Sequence, residues 1–367
     1  MATSLQQLMD HGQSPWIDFI SREFVRDGDM QGLVDEGIVG VTSNPTIFQG
    51  AISKGNSYDD QLRELFEEHD DPKEVFWALA RDDIQAACDL LTPVFERGDS
   101  TRDGWVSLEV DPNLAHDADG TIREAKRLHG MVARPNLFVK IPGTREGLQA
   151  IEETIAAGIP VNVTLLFSLR RHREAAEAYL RGLRRLRESG GDLSTVASVA
   201  SFFVSRVDTE ADRRLDEIGG QETLKGRLAI ANAKLAYQTY KELFSGSDWE
   251  EMEAHGASPQ RCLWASTSTK NPSYRDVIYV EELIGPATVN TMPRETIEAF
   301  LDHGRVTDSL QDNLSDAHHT FERLAQAGVD YDDVVEVLER EGVKKFADSF
   351  SELIDGVKDK RRELVTA

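Results

Sequence analysis

Lys140 stands inside the run LFVKIPG, with Val139 before it, Ile141 after it and Pro142 next. A lysine in an apolar strand cannot easily reach water. Desolvation disfavours its ammonium form, and a neutral amine can attack a carbonyl carbon. The bland alternative is a lysine paired with a carboxylate inside the fold, since buried lysines are rare unless paired. Amine attack on a carbonyl needs proton transfers when the carbinolamine loses water and again when a carbon–carbon bond breaks. Two carboxylates, Asp18 and Glu109, stand at expected strand ends and suit those tasks: one serves the nitrogen, the other takes a hydroxyl proton. They can equally be structural partners of Lys140 or Arg206. A carboxylate pair also fits a glycosidase, but that chemistry leaves Lys140 unexplained.

Other polar residues gather at similar positions. Asn162 and Thr164 lie two apart on one run, so both face the same way, suited to holding a water or binding hydroxyls. Arg206, Ser266 and Lys270 are candidates for gripping a phosphate, Arg in bidentate fashion. Each is by itself more often a surface group. Asn44, Asp111, Ser201 and Asn290 complete the set. The nine histidines are scattered and form no H-x-x-x-H or H-E-x-x-H pattern, which disfavours a metal-dependent reaction.

Something must bring these residues together. Eight apolar runs recur, at 17–20, 38–43, 105–110, 136–142, 159–167, 197–204, 261–267 and 287–292. Between them lie amphipathic stretches that read as helices, among them 121–133, 147–158 and 168–190, the last with Ser168 as its N-cap. Strands alternating with helices predict a closed parallel (β/α)8 TIM-type barrel, whose reactive groups sit at the C-terminal strand ends. A doubly wound open sheet is the alternative, but no G-x-G-x-x-G loop occurs. The whole chain, 1–367, reads as one barrel domain with a helical insertion near 49–104 and a helical extension near 306–367. That extension serves packing or oligomer contact, or else covers the barrel mouth.

Composition limits the partners. The net charge is −24, which argues against nucleic acid or an anionic membrane, and means that a phosphorylated ligand needs a local cluster of Arg or Lys. No apolar run reaches the length of a membrane span, and the N-terminus does not read as a signal peptide. Cys88 and Cys262 read as buried free thiols in a reducing, cytoplasmic setting.

At this point the motifs resemble a known family. GVTSNPTIF (40–48) and LFVKIPGTREGL (137–148) look like the two transaldolase signatures, the second containing the Schiff-base lysine. VSLEVDP (106–112), NVTLLFS (162–168) and SFFVSR (201–206) resemble other strand ends of that family. RCLWASTSTKNPSYRD (261–276) and TVNTMP (288–293) are similar to its long bacterial subgroup. The likeness runs from about residue 14 to about 305, and less distinctly to the end. It implies a circularly permuted aldolase-type barrel with the lysine on the fourth strand, and 136–142 is the fourth apolar run. It implies transfer of a dihydroxyacetone unit between sugar phosphates in the pentose phosphate pathway, with no cofactor and no metal, by a monomer or homodimer. Residue by residue, it implies Lys140 as the Schiff-base nucleophile and Asp18 as the acid/base at the cleaved carbon's hydroxyl. Glu109 and Thr164 would hold the proton-shuttling water. Asn44 and Asn162 would bind donor hydroxyls, Ser201 would lie by the nucleophile, and Arg206 and Ser266 would bind phosphate. One position departs: the family's arginine two residues beyond the Ala-Ser pair is Ser268 here, and Lys270 is expected to replace it. A fructose-6-phosphate aldolase-like lyase, which releases free dihydroxyacetone, is the close alternative. It carries Gln where Glu109 stands. A non-catalytic sugar-phosphate-binding barrel is the distant one.

Overall fold

Eight short parallel strands close into a barrel in sequence order, and helices fill the connections. The structure is a computed structural model that describes residues 2–53, 55–97 and 103–365. Residues 54 and 98–102 of the expected insertion, and 366–367 of the expected extension, lie outside the described residues. The strands are β1 Gln13–Ile17, β2 Gly40–Val41, β3 Trp105–Glu109, β4 Leu137–Pro142, β5 Val161–Leu166, β6 Ser198–Phe203, β7 Arg261–Ala265 and β8 Thr288–Met292. The predicted barrel is therefore present, and Lys140 is on its fourth strand.

The first strand differs from its sequence reading. It is Gln13–Ile17 rather than 17–20, and Asp18 sits just beyond it. Pro15 and the polar pair Gln13 and Ser14 hid this strand, because proline and unpaired polar groups argue against a central strand. Both polar side chains find hydrogen-bond partners inside the protein, although Gln13 Oε1 is left without one among the described residues. Gln13 Nε2 donates to the Leu283 carbonyl at 2.6 Å, and Ser14 Oγ accepts from Arg261 Nη1 at 2.9 Å. The strand ladder continues one residue further: Asp18 N donates to the Met292 carbonyl and Thr42 N to the Ile17 carbonyl, both at 2.9 Å. Asp18 is thus held by backbone at the C-terminal rim.

Beneath the rim the barrel is filled by aromatic rings. Trp105 and Phe138 stack at 4.2 Å between centroids, and Trp16 meets Phe138 at 6.2 Å although β1 and β4 are not neighbours. That contact runs through the interior, so this layer is packed core rather than pore. It also explains Gly40: a Cβ there would lie 2.4 Å from the Trp16 ring.

The helices follow their local signals. Ser168 caps Leu169–Glu188, its hydroxyl accepting from Arg171 N at 3.0 Å. Asn44 accepts from Ile47 N at 3.1 Å at the start of Pro45–Ser53, with Pro45 in the first helical position. The inserted stretch contains helices Asp59–Glu68 and Pro72–Arg97. It is tied to the short helix Arg22–Arg26 after β1 by a buried cluster in which Asp83 accepts from Arg22 Nε at 2.9 Å and from the Tyr58 hydroxyl at 2.8 Å. Removing one partner of a buried pair leaves an uncompensated charge, so Asp83→Ala is expected to cost about 3–5 kcal/mol of stability. Urea unfolding of wild type and variant measures it. Cys88 and Cys262 are buried and free.

The last helix, Tyr331–Val365, crosses the barrel mouth. Its Tyr331 hydroxyl accepts from Leu169 N at 3.0 Å, Thr46 Oγ1 donates to Ser349 Oγ at 2.9 Å, and Lys360 pairs with Asp59 at 2.7 Å. Gly342 lets the helix approach closely, since a Cβ there would lie 3.1 Å from Leu165. The extension covers the mouth as well as packing against the barrel.

Candidate active site

Register decides which polar side chains meet. Glu109 pairs with Lys140 across β3 and β4, and Lys140 with Asn162 across β4 and β5. Residues paired in register on parallel strands point to the same face, here the interior. Lys140 Nζ lies 2.9 Å from Glu109 Oε2 and donates to the Ser43 carbonyl at 2.9 Å. Lys140 is 4% exposed and Glu109 is 3% exposed. The pairing that sequence offered as the bland alternative is real, but the paired lysine also opens on a cavity.

That cavity, of about 170 Å³, is lined by Asp18, Asn44, Lys140, Thr164, Ser201, Arg206, Ser266 and Lys270 among others. Asn162 lies beneath it, donating to Ser107 Oγ at 3.0 Å and accepting from Ser201 Oγ at 2.7 Å. So the predicted residues converge, with Glu109 and Asn162 behind the lining. Asp111 and Asn290 do not join them: Asp111 pairs with Lys73 at 2.6 Å, and Asn290 accepts from Thr267 at 2.9 Å.

Both carboxylates are tuned by their surroundings. Burial pushes the Asp18 carboxyl above its ordinary range, against the attraction of Lys140 and a 2.7 Å hydrogen bond from Thr42 Oγ1. Burial also raises Glu109, again opposed by Lys140. A raised carboxyl is a better proton acceptor than an ordinary one, which suits groups that must take and return protons near neutrality. Thr164 Oγ1 and Glu109 Oε1 are buried without a hydrogen-bond partner among the described residues. Buried polar atoms of this kind call for a partner from solvent or substrate.

The cavity's far side is cationic. The Arg206 guanidinium lies 5.0 Å from the Phe203 ring centroid and 5.9 Å from that of Phe346. Ser266 has a positive φ of 58° and its Oγ lies 3.0 Å from Ser205 Oγ. Lys270 Nζ donates to Ser268 Oγ at 2.8 Å, so the lysine and the serine that stands at the departing position share one loop corner.

Sequence reasoning missed several contributors. Thr42 holds Asp18, and its hydroxyl lies 2.7 Å from that of Thr291. Ser43 offers only its carbonyl to Lys140, which no side-chain pattern reveals. Phe346 comes from the last helix and places its ring centroid 5.6 Å from Lys140 Nζ. Its only signal was an aromatic residue in an amphipathic helix, which most often means core.

Comparison with known proteins gives the family. The family model described as Transaldolase/Fructose-6-phosphate aldolase matches residues 15–357. The curated protein named Transaldolase from Acidothermus cellulolyticus is 51% identical over 360 residues, covering 97% of this chain and 96% of its own. That of Parafrankia sp. is 51% identical over 363 residues, with 98% of each chain covered. That of Mycobacterium tuberculosis is 49% identical over 356 residues, covering 96% of this chain and 95% of its own. With a lysine and two carboxylates at the mouth of a closed barrel, and relatives matched over nearly their full length, the chain belongs to the transaldolase/fructose-6-phosphate aldolase family.

Proposed function

We propose that the chain is a transaldolase, moving a dihydroxyacetone unit from sedoheptulose 7-phosphate to glyceraldehyde 3-phosphate and giving erythrose 4-phosphate and fructose 6-phosphate. The observation that carries this reading is Lys140, buried, 2.9 Å from Glu109 and facing a cavity that Asp18 also lines. The Lys140 amine, after losing a proton toward Glu109 or a water held by Glu109 and Thr164, attacks C2 of the ketose. The carbinolamine loses water with a proton returned by the same route, leaving an iminium ion. Asp18 takes the C4 hydroxyl proton, the C3–C4 bond breaks, and its electron pair passes into the iminium to form an enamine. Erythrose 4-phosphate leaves as the aldehyde. The enamine then attacks the acceptor aldehyde, Asp18 returns its proton to the new hydroxyl, and water releases fructose 6-phosphate. Every electron pair is accounted for by the amine, the carboxylates and water, so the reaction calls on no metal or cofactor.

Asn44 and Asn162 bind donor hydroxyls in this reading, Ser201 steadies Asn162 beside the nucleophile, and Arg206, Ser266 and Lys270 bind phosphate. The aldolase alternative is not favoured, because the matched curated relatives are named transaldolases and Glu109 is not Gln. Among the described residues no helix is long and apolar enough to cross a membrane. We place the protein in the cytoplasm, as a monomer or homodimer acting on free sugar phosphates. The test is an assay of sedoheptulose 7-phosphate with glyceraldehyde 3-phosphate, following erythrose 4-phosphate; no product would overturn the reading. In the same assay Glu109→Gln is expected to shift product balance toward free dihydroxyacetone. A fall in both products at constant ratio would remove Glu109 from the water-handling role.

A further inference from the structure

The last helix carries four lysines, and three of them have acidic partners. Lys344 pairs with Asp348 at 2.5 Å, Lys358 with Asp355 at 2.8 Å and Lys360 with Asp59 at 2.7 Å. Lys345 makes no ion pair or hydrogen bond among the described residues. Glu341 and Asp348, four residues before it and three after it on the helix, make no ion pair with it. Arg206 most, then partial burial, then Lys270 hold its pKa below the ordinary lysine value. Neither Arg206 nor Lys270 makes an ion pair with a described carboxylate either.

Lys345 also stands where the site opens outward. An outer lobe of about 460 Å³ is lined by Lys345, Arg206, Phe346 and Asn44, and the last three also line the inner cavity that holds Lys140. Arg206 is thus the wall between nucleophile and outer lobe, with Lys270 on one side and Lys345 on the other. Glu23 lines that lobe too but makes no ion pair with Lys345. Arg206 feels the Asp18 and Glu109 carboxylates without an ion pair to either, and an anion set between it and the two lysines relieves the repulsion among the three cations while gaining charge-assisted hydrogen bonds. A phosphate monoester, close to −2 in charge near neutrality with three acceptor oxygens, fits that demand.

We propose that Lys345 is a specificity-determining residue of the phosphate subsite, reaching down from the last helix to complete a grip begun on the barrel by Arg206 and Lys270. This goes beyond a pocket built on barrel loops alone, and it makes the helix over the mouth part of substrate recognition. It rests on the transaldolase reading for the identity of the phosphorylated substrate.

The experiment compares glyceraldehyde 3-phosphate with unphosphorylated glyceraldehyde as acceptor. In Lys345→Ala the ratio of kcat/KM for the two is expected to fall about tenfold, the effect of losing one charge-assisted hydrogen bond. Lys345→Arg should keep most of the preference, and raising ionic strength should erode it less in Lys345→Ala than in wild type. A ratio within twofold of wild type in Lys345→Ala, or an equal fall in Lys345→Arg, overturns the proposal. Calorimetric titration of the full chain with inorganic phosphate separates this from the transaldolase reading. Weaker phosphate binding in Lys345→Ala supports the subsite whatever the sugar chemistry, and unchanged binding overturns it.

Discussion

Lys140→Ala is expected to lower transaldolase turnover by roughly 10⁴–10⁶-fold, the scale seen when a covalent nucleophile is removed. The loss has a chemical signature. Borohydride added with fructose 6-phosphate reduces an imine to a stable amine, so wild-type protein gains a sugar-phosphate adduct on Lys140 that mass spectrometry locates. The variant should gain none. An adduct that persists in Lys140→Ala, or no adduct in wild type, would sink the Schiff-base mechanism. The structure gives a reason to expect selectivity: Lys140 is the lysine that faces the cavity from a buried strand position, held by Glu109 and the Ser43 carbonyl in one orientation.

Asp18→Asn should lower turnover by about 10²–10⁴-fold, the usual contribution of a positioned acid/base. Here the adduct should still form, because amine attack and water loss do not need Asp18. Donor bound as imine should therefore accumulate, and borohydride should trap at least as much as in wild type. Loss of adduct together with turnover would place Asp18 in imine formation instead. The pH profile carries the same point with a definite sign. Asp18 must be ionised to take the hydroxyl proton, and burial raises its carboxyl above the ordinary range. Activity should then fall with decreasing pH through a point above that of an ordinary aspartate, and kcat/KM measured against pH shows that limb. In Asp18→Asn the residual activity should lack it.

These two residues were legible for different reasons. Lys140 stood out because a charged group amid Val139, Ile141 and Pro142 conflicts with its neighbours, and such conflicts mark functional positions. Asp18 was legible as a carboxylate at an expected strand end, yet the strand it closes was misplaced by several residues. Pro15, Gln13 and Ser14 look unlike a central strand until their partners Leu283 and Arg261, distant along the chain, are in place. The insertion and the last helix were readable as helices from their periodicity, whereas their destination was not.

The sequence by itself determined the alternation of eight apolar runs with amphipathic helices, the cap at Ser168, and the identity of the polar residues at strand ends. Those are properties of spacing and residue type, which act over a few positions. Tertiary structure alone decided that Glu109 pairs with Lys140, since that depends on strand register. It alone decided that Thr42, itself bonded to Thr291, holds Asp18, and that Phe346 and Lys345 come back to the mouth from more than a hundred residues away along the chain from Arg206. Contacts of that range are set by closing the barrel and laying one long helix across it. No local pattern encodes which side chains that closure will bring together.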